Sequence, residues 1–186
     1  MSSDEILLEA EEKMIKTETV IVNELAGVRT GKASASLIEN VLVEVYGSQM
    51  RLRELAGIST PEPRQLLVQP WDMTGIQAIE KAIQKANLGL SPVVQGKIIR
   101  VAFPELSAER RQEFVKITRK MAEDARVAVR HLRRDAMEAL KKAVKAHETS
   151  EEDQEITEKE IQKLTDQYIA KIDAHLAHKE KEILTV

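Results

Sequence analysis

Cysteine is absent from this chain of 186 residues, which excludes disulfides and thiolate metal sites. Aromatic side chains are scarce at 3%, while charged ones reach 32%; that balance fits long solvated helices better than a β-sandwich. No apolar run approaches the ~18 residues needed to cross a bilayer. The opening residues, Met1-Ser2-Ser3-Asp4-Glu5, lack the basic and apolar regions of a signal peptide. The expectation is a soluble, cytoplasmic chain with no membrane contact, long enough for one or two small domains.

Glycine and proline are missing from both ends. Every glycine and proline lies between residues 27 and 104. These residues punctuate local structure most strongly, so their absence marks uninterrupted helix on either side of an irregular or mixed insert. Ser2 with Glu5 fits a capping box, followed by Leu7, Ala10, Met14, Thr17, Ile21, Leu25 and Val28 at steps of three and four. Ser107 is a suitable cap for a second helix with a seam through Phe114, Ile117, Met121, Ala125, Ala128, Leu132, Ala136, Ala139 and Ala143. Extended to His147, it would be roughly 60 Å long. Ser150 with Asp153 starts a third helix, with a seam through Ile161, Leu164, Tyr168, Ile172, Leu176 and Ile183. Three such helices are best satisfied as an antiparallel bundle.

The middle reads as strand and turn. Val41, Val43 and Val45 form a β-branched alternation ending at Gly47-Ser48, and the apolar runs Leu52–Leu55, Leu66–Val68 and Ile98–Val101 are further strand candidates. Thr74 is placed to cap one helix that carries Ile76, Ile79, Ala82, Ile83 and Ala86 and ends near Asn87-Leu88-Gly89. The fold class expected is α+β. A long antiparallel three-helix bundle, residues 1–30 plus 106–186, is interrupted by a small, mostly β insert with one helix, residues 31–105.

What is present in excess is arginine on one helix. Arg126, Arg130, Arg133 and Arg134 fall at offsets 0, 4, 7 and 8, the spacing that gathers side chains along one side of a helix. Planar, always-charged guanidiniums suit the gripping of phosphates. Residues 105–147 carry 12 Lys and Arg against 7 Asp and Glu, whereas residues 148–186 carry 5 against 11, in a chain of net charge −3. A localised basic face in acidic surroundings presents a directed contact rather than a general coat for nucleic acid. The stripe lies about 155° around the helix from the expected seam, which predicts solvent exposure. Spacing alone leaves two readings open. One is a structural face whose arginines pair with Asp135, Glu138 or the acidic third helix; the other is contact with RNA or phosphate. No acidic residue lies between Arg126 and Arg134, which favours contact.

Signatures of an enzyme are weak throughout. Gly27-Val28-Arg29-Thr30-Gly31-Lys32-Ala33 is one residue short of a phosphate loop, and Ala33 replaces the hydroxyl that would bind magnesium. His175 and His178 are read as surface histidines rather than metal ligands, since no third histidine or carboxylate cluster accompanies them. Trp71 is read as an anchor of the insert's core rather than a stacking platform. No catalytic residue, cofactor or metal is expected.

Taken in order, the motifs resemble those of bacterial-type ribosome recycling factors. The resemblance rests on Val28-Arg29-Thr30-Gly31-Lys32-Ala33-Ser34, on Glu80-Lys81-Ala82-Ile83 followed by Leu88-Gly89-Leu90, and on Lys163-Leu164-Thr165-Asp166. Most specific is Ala125-Arg126-Val127-Ala128-Val129-Arg130-His131-Leu132-Arg133-Arg134-Asp135-Ala136. It implies an L-shaped, monomeric translation factor that binds the post-termination ribosome between its subunits. With elongation factor G and GTP, such a factor promotes subunit splitting and the release of messenger and tRNA. It further implies that Arg29, Lys32, Arg126, Arg130, Arg133 and Arg134 contact large-subunit rRNA, and that hinges lie at Gly31-Lys32 and at Phe103-Pro104-Glu105. Lys32 stands where the family's motif has arginine, a point charge in place of a bidentate fork. The alternative expectation is a helical chaperone or adaptor whose basic face binds protein rather than rRNA.

Overall fold

The computed structural model describes residues 1–86 and 88–185. Two compact units emerge, one from Met1–Leu25 with Val115–Lys181, the other from Ala26–Phe114 with the chain end from Glu182. The fold is α+β: an antiparallel three-helix bundle with a small, mostly β insert.

The bundle is built from α1 (Ser3–Ala26), α4 (Ala108–Lys145) and α5 (Glu151–Leu184). Each start is written locally. The Ser2 amide donates to Glu5 Oε2 at 2.8 Å and the Glu5 amide to Ser2 Oγ at 3.3 Å, a reciprocal capping box. Ser107 Oγ accepts from the Arg110 amide at 3.2 Å, and Ser150 Oγ from the Asp153 amide at 3.0 Å. Three acids, Glu151, Glu152 and Asp153, fill the first turn of α5, where they complement the helix dipole. The exit from α4 is a Schellman turn. His147 adopts φ 57°, and the Glu148 amide reaches back to the Ala143 carbonyl at 2.9 Å.

Two core layers fix the direction of the helices. Ile6 and Ala10 pack with Ala136, Leu140, Ala143 and Ile161. Met14, Ile21 and Leu25 pack with Ala122, Ala125, Val129, Tyr168 and Ile172. Thus α1 and α5 run the same way and α4 runs against both. The buried face of α4 is a heptad: Val115, Ala122, Val129, Ala136 and Ala143 recur every seven residues, with Thr118 and Ala125 between them. This differs from the expected seam at its start, where Ile117 is exposed and Val115 buried. A seam stepped at 3.6 residues drifts ~20° per heptad from one that repeats at 3.5, so the two agree near Ala136 and Ala143 and part company near residue 115.

The insert holds two antiparallel sheets. The first is a hairpin of β1 (Leu42–Val45) and β2 (Ser48–Arg51). Tyr46 and Gly47, at φ 54° and 75°, form the two-residue turn between them, with the doubly positive φ of a type I′ connection. The second sheet has the order β3 (Ala56–Glu62), β4 (Gln65–Pro70), β6 (Ile98–Ala102), β5 (Ser91–Gln95). The run Leu52–Leu55, expected as a strand, is instead a single helical turn, α2, with Leu52 buried. Among the described residues six strands replace the four expected: Leu52–Leu55 is not one of them, and β2, β3 and β5, which lack a long apolar run, are added.

The one longer helix of the insert, α3, spans Ile76–Lys85 and buries Ile76, Ile79 and Ile83. It packs against β1, β5 and β6. Its lead-in is capped by Asp72, which accepts from the Thr74 amide at 3.0 Å, rather than by Thr74. Of the expected end at Asn87-Leu88-Gly89, Asn87 lies outside the described residues. Trp71 does not anchor the core: it is 72% exposed, and its ring edge approaches Gly57. The insert's core is aliphatic, with Phe103 as its aromatic member.

Candidate functional site

The heptad on α4 decides where each arginine goes. Arg119, Arg126 and Arg133 repeat every seven residues beside the buried stripe, the position from which coiled-coil helices make charged contacts to a partner. Arg119 Nε donates to Glu180 at 2.6 Å and Arg126 Nε to Asp173 at 2.7 Å. Arg133 Nη1 donates to Gln162 Oε1 at 3.3 Å. The third rung differs in kind, because the neighbouring Asp166 accepts from Gln162 Nε2 at 2.9 Å. Among the described residues, Arg133 has no carboxylate within 4.0 Å.

Arg130 and Arg134 point further out. Taken at 100° per residue, the four arginines centre about 90° from the buried stripe rather than 155°. Arg126 accordingly keeps only 20% of its side-chain exposure. Glu123 sits one turn before it and accepts from Arg126 Nη1 at 2.9 Å and from Arg130 Nη1 at 3.1 Å. The bond from Arg126, and then that from Arg130, holds the Glu123 carboxyl below the ordinary carboxylate range. Burial works to lower the Arg126 guanidinium, but Asp173 and Glu123 together outweigh it and leave it raised. Asp135 and Glu138, the partners that spacing suggested, make no bond to these arginines; Glu138 pairs with Lys142. Arg134 is exposed and, among the described residues, has no ion pair or hydrogen bond from its side chain.

The stripe therefore splits into two pairs. Arg126 and Arg130 are neutralised by Glu123 and Asp173. Arg133 and Arg134, adjacent in sequence, keep uncompensated charge in a chain of net charge −3. A planar guanidinium with free donors is equipped for bidentate binding of a phosphate or carboxylate.

A second concentration of cations lies in the other unit. Arg29 donates from Nη2 to the Pro104 carbonyl at 2.8 Å. Burial first, and then the nearby Arg110, pushes its guanidinium down. Arg29 Nε and Arg111 Nε are both buried without a partner among the described residues. Lys32 is exposed, with no carboxylate within 4.0 Å among the described residues. Arg110 and Arg111 were not singled out from sequence. One signal was available: two arginines in the first turns of a helix oppose its dipole, so they mark a need for positive charge there.

Around the proposed crossings, Pro104 carries the bond from Arg29, Glu105 pairs with Arg64 at 2.8 Å, and Phe103 is buried with its amide bonded to the Arg64 carbonyl at 2.9 Å. Gly31 lies beside the Arg111 guanidinium. His175 is engaged by Glu18 on α1 at 3.0 Å. No group of three His, Asp or Glu fit to hold a metal occurs among the described residues, and none of their helices is long and apolar enough to cross a membrane.

Known proteins resemble this chain in sequence and fold. The family model for ribosome recycling factor matches residues 21–184. A ribosome-recycling factor of a Bradyrhizobium species is 55% identical over 180 residues, covering 97% of this chain and 96% of that protein. One from Methylocella silvestris is 50% identical over 186 residues, all of both chains. Among solved structures, a ribosome recycling factor in solution superposes with a TM-score of 0.81 at 43% identity, covering 99% of this chain and 98% of the other. A second, the T. thermophilus ribosome recycling factor described with E. coli elongation factor G bound to the E. coli post-termination complex, gives 0.70 at 42% identity over the full length of both. With a matching family model, close relatives over the whole length and the same fold, the chain belongs to the ribosome recycling factor family, whose members are translation factors and not enzymes.

Proposed function

We propose that the chain binds the post-termination ribosome between its subunits and, with elongation factor G and GTP, promotes subunit splitting and release of messenger and tRNA. The observation that carries this reading is the pair Arg133 and Arg134 on α4, two adjacent cations without a carboxylate partner among the described residues, in a chain of net charge −3. They are the primary contacts to large-subunit rRNA phosphates, and Arg126 and Arg130 join once Glu123 yields. Arg29 and Lys32, supported by Arg110 and Arg111, supply the phosphate contact of the other unit. The ribosome-bound relative supports the ribosome and elongation factor G as partners.

The insert, residues 31–105, moves relative to the bundle, residues 1–30 and 106–186, through φ/ψ changes at Gly31, Lys32, Phe103, Pro104 and Glu105. The protein acts in the cytoplasm as a monomer and needs no cofactor. It breaks no covalent bond, so its contribution is binding and leverage, while GTP hydrolysis by the elongation factor supplies the energy.

Equilibrium binding of labelled Arg133→Ala/Arg134→Ala protein to purified large ribosomal subunits tests the reading. Removing one phosphate-binding cation lowers the slope of log K against log salt by about 0.7–0.9. The double variant is expected to bind at least tenfold more weakly at low salt, with a slope shallower by about 1.5. Unchanged affinity in a fully helical variant would remove rRNA contact from this face and favour a protein-binding adaptor.

A further inference from the structure

We propose that Glu123 is a built-in competitor for the RNA phosphates. It is a carboxylate that occupies the guanidiniums of Arg126 and Arg130 in the free protein, and so sets how tightly and how long the arginine face holds its target. The inference rests on the reading that this face binds rRNA. One carboxylate bridges both arginines, with Oε2 on Arg126 at 2.9 Å and Oε1 on Arg130 at 3.1 Å. A phosphate would present a similar pair of anionic oxygens to the same donors. Glu123 is exposed, and its side chain retains 51% of its accessibility. It holds no core together and is free to be displaced.

Asp173 gives Arg126 a second partner from α5, so that arginine stays positioned when Glu123 leaves. Arg130 has no partner other than Glu123 among the described residues. It is the group released. A phosphate arriving at Arg130 therefore exchanges partners rather than filling a vacant site, and a displaced carboxylate remains nearby to repel the phosphate and recapture the arginine. Like charges facing each other across an interface disfavour binding and act mainly on salt dependence and association. Arg133 and Arg134, which carry no such partner, make the first contact; Arg126 and Arg130 add affinity in proportion to how readily Glu123 yields. The device keeps the grip reversible, as a factor that must leave its target requires.

The test compares Glu123→Gln, Glu138→Gln and Arg133→Ala/Arg134→Ala with the parent chain, all full length. Binding to purified large ribosomal subunits is measured across a salt series, and release is followed after dilution. Glu138→Gln makes the same charge change on the same helix, but at a carboxylate bonded to Lys142. Glu123→Gln is expected to bind about three- to tenfold more tightly, with a steeper salt dependence and slower release, and Glu138→Gln to change affinity less than twofold. If Glu123→Gln binds equally or more weakly while the double arginine variant is impaired, Glu123 is an orienting partner and the competitor role is overturned, with the rRNA reading intact. An equal gain from Glu138→Gln would make the effect one of net charge and overturn the role as well. Full binding by the double arginine variant would overturn the rRNA reading and this inference together.

Discussion

Arg130 and Arg134 stand one turn apart on α4 yet differ in what they can offer a ligand. Arg130 shares Glu123 with Arg126, whereas Arg134 has no partner among the described residues. Counting arginines therefore overstates the cationic strength of this face, which the free protein concentrates at Arg133 and Arg134. Trp71 makes a related point about apolar side chains. Its size suggested a core anchor, but the insert's core is filled mainly by Ile, Val and Leu, with Phe103 as its aromatic member, and Trp71 lies 72% exposed over Gly57. A buried tryptophan cut to alanine costs about 3–5 kcal/mol. Trp71→Ala is expected to cost less than about 1 kcal/mol in urea unfolding, within the range of surface substitutions. A loss of about 3 kcal/mol or more would return Trp71 to the core. Hydrophobicity in the sequence names a candidate for burial without saying whether a neighbouring element exists to cover it.

At the scale of elements, what could be read from sequence is what is decided locally. The capping pairs Ser2 with Glu5 and Ser150 with Asp153, and the cap at Ser107, mark the helix starts because each is a contact across three residues. The seam of α4 is decided by its partners. Apolar and small residues occupy both the Ile117 and the Val115 sides, and only packing against α1 and α5 selects the heptad through Val115, Ala122 and Val129. For the same reason the exposure of the arginine stripe was overestimated: rotating the seam brings Arg126 and Arg133 to the flank that meets α5. Val115→Ala should destabilise the chain by about 2 kcal/mol and Ile117→Ala by no more than about 0.5 kcal/mol in chemical denaturation. The reverse order would restore the seam through Ile117.

In the insert, Leu52–Leu55 was illegible because a short apolar run serves helix or strand equally. The strand Ser48–Arg51 was missed because its residues are largely exposed and owe their conformation to pairing with β1. Charge pairing within the helices also carries a pH signature. Glu123, Glu138 and Glu155 are each held below their ordinary value of 4.5 by hydrogen bonds from Arg126, Lys142 and Lys159 respectively. Groups with depressed folded values contribute stability above the ordinary value and lose it as pH falls through the lowered one. Melting followed by circular dichroism should be level from neutrality to about pH 5 and should fall below about pH 4. A melting temperature unchanged at about pH 3 would contradict these pairings.

At the scale of the whole molecule, a chain of net charge −3 gathers its candidate phosphate contacts in two places. One is Arg133 and Arg134 on α4; the other is the group of Arg29, Lys32, Arg110 and Arg111 in the second unit. An acidic chain with localised basic contacts avoids general adhesion to nucleic acid while keeping a salt-sensitive grip on a specific target. Family membership fits this economy, since a translation factor that performs no covalent chemistry needs recognition and leverage rather than a catalytic centre. The most direct test is the splitting of purified post-termination ribosomes, followed by light scattering or sucrose-gradient profiles, with elongation factor G and GTP and with this chain added or omitted. The account predicts conversion of ribosomes to subunits only when chain, elongation factor and GTP are all present, and much slower conversion with Arg133→Ala/Arg134→Ala. Ribosomes that stay intact with all three components present would contradict it.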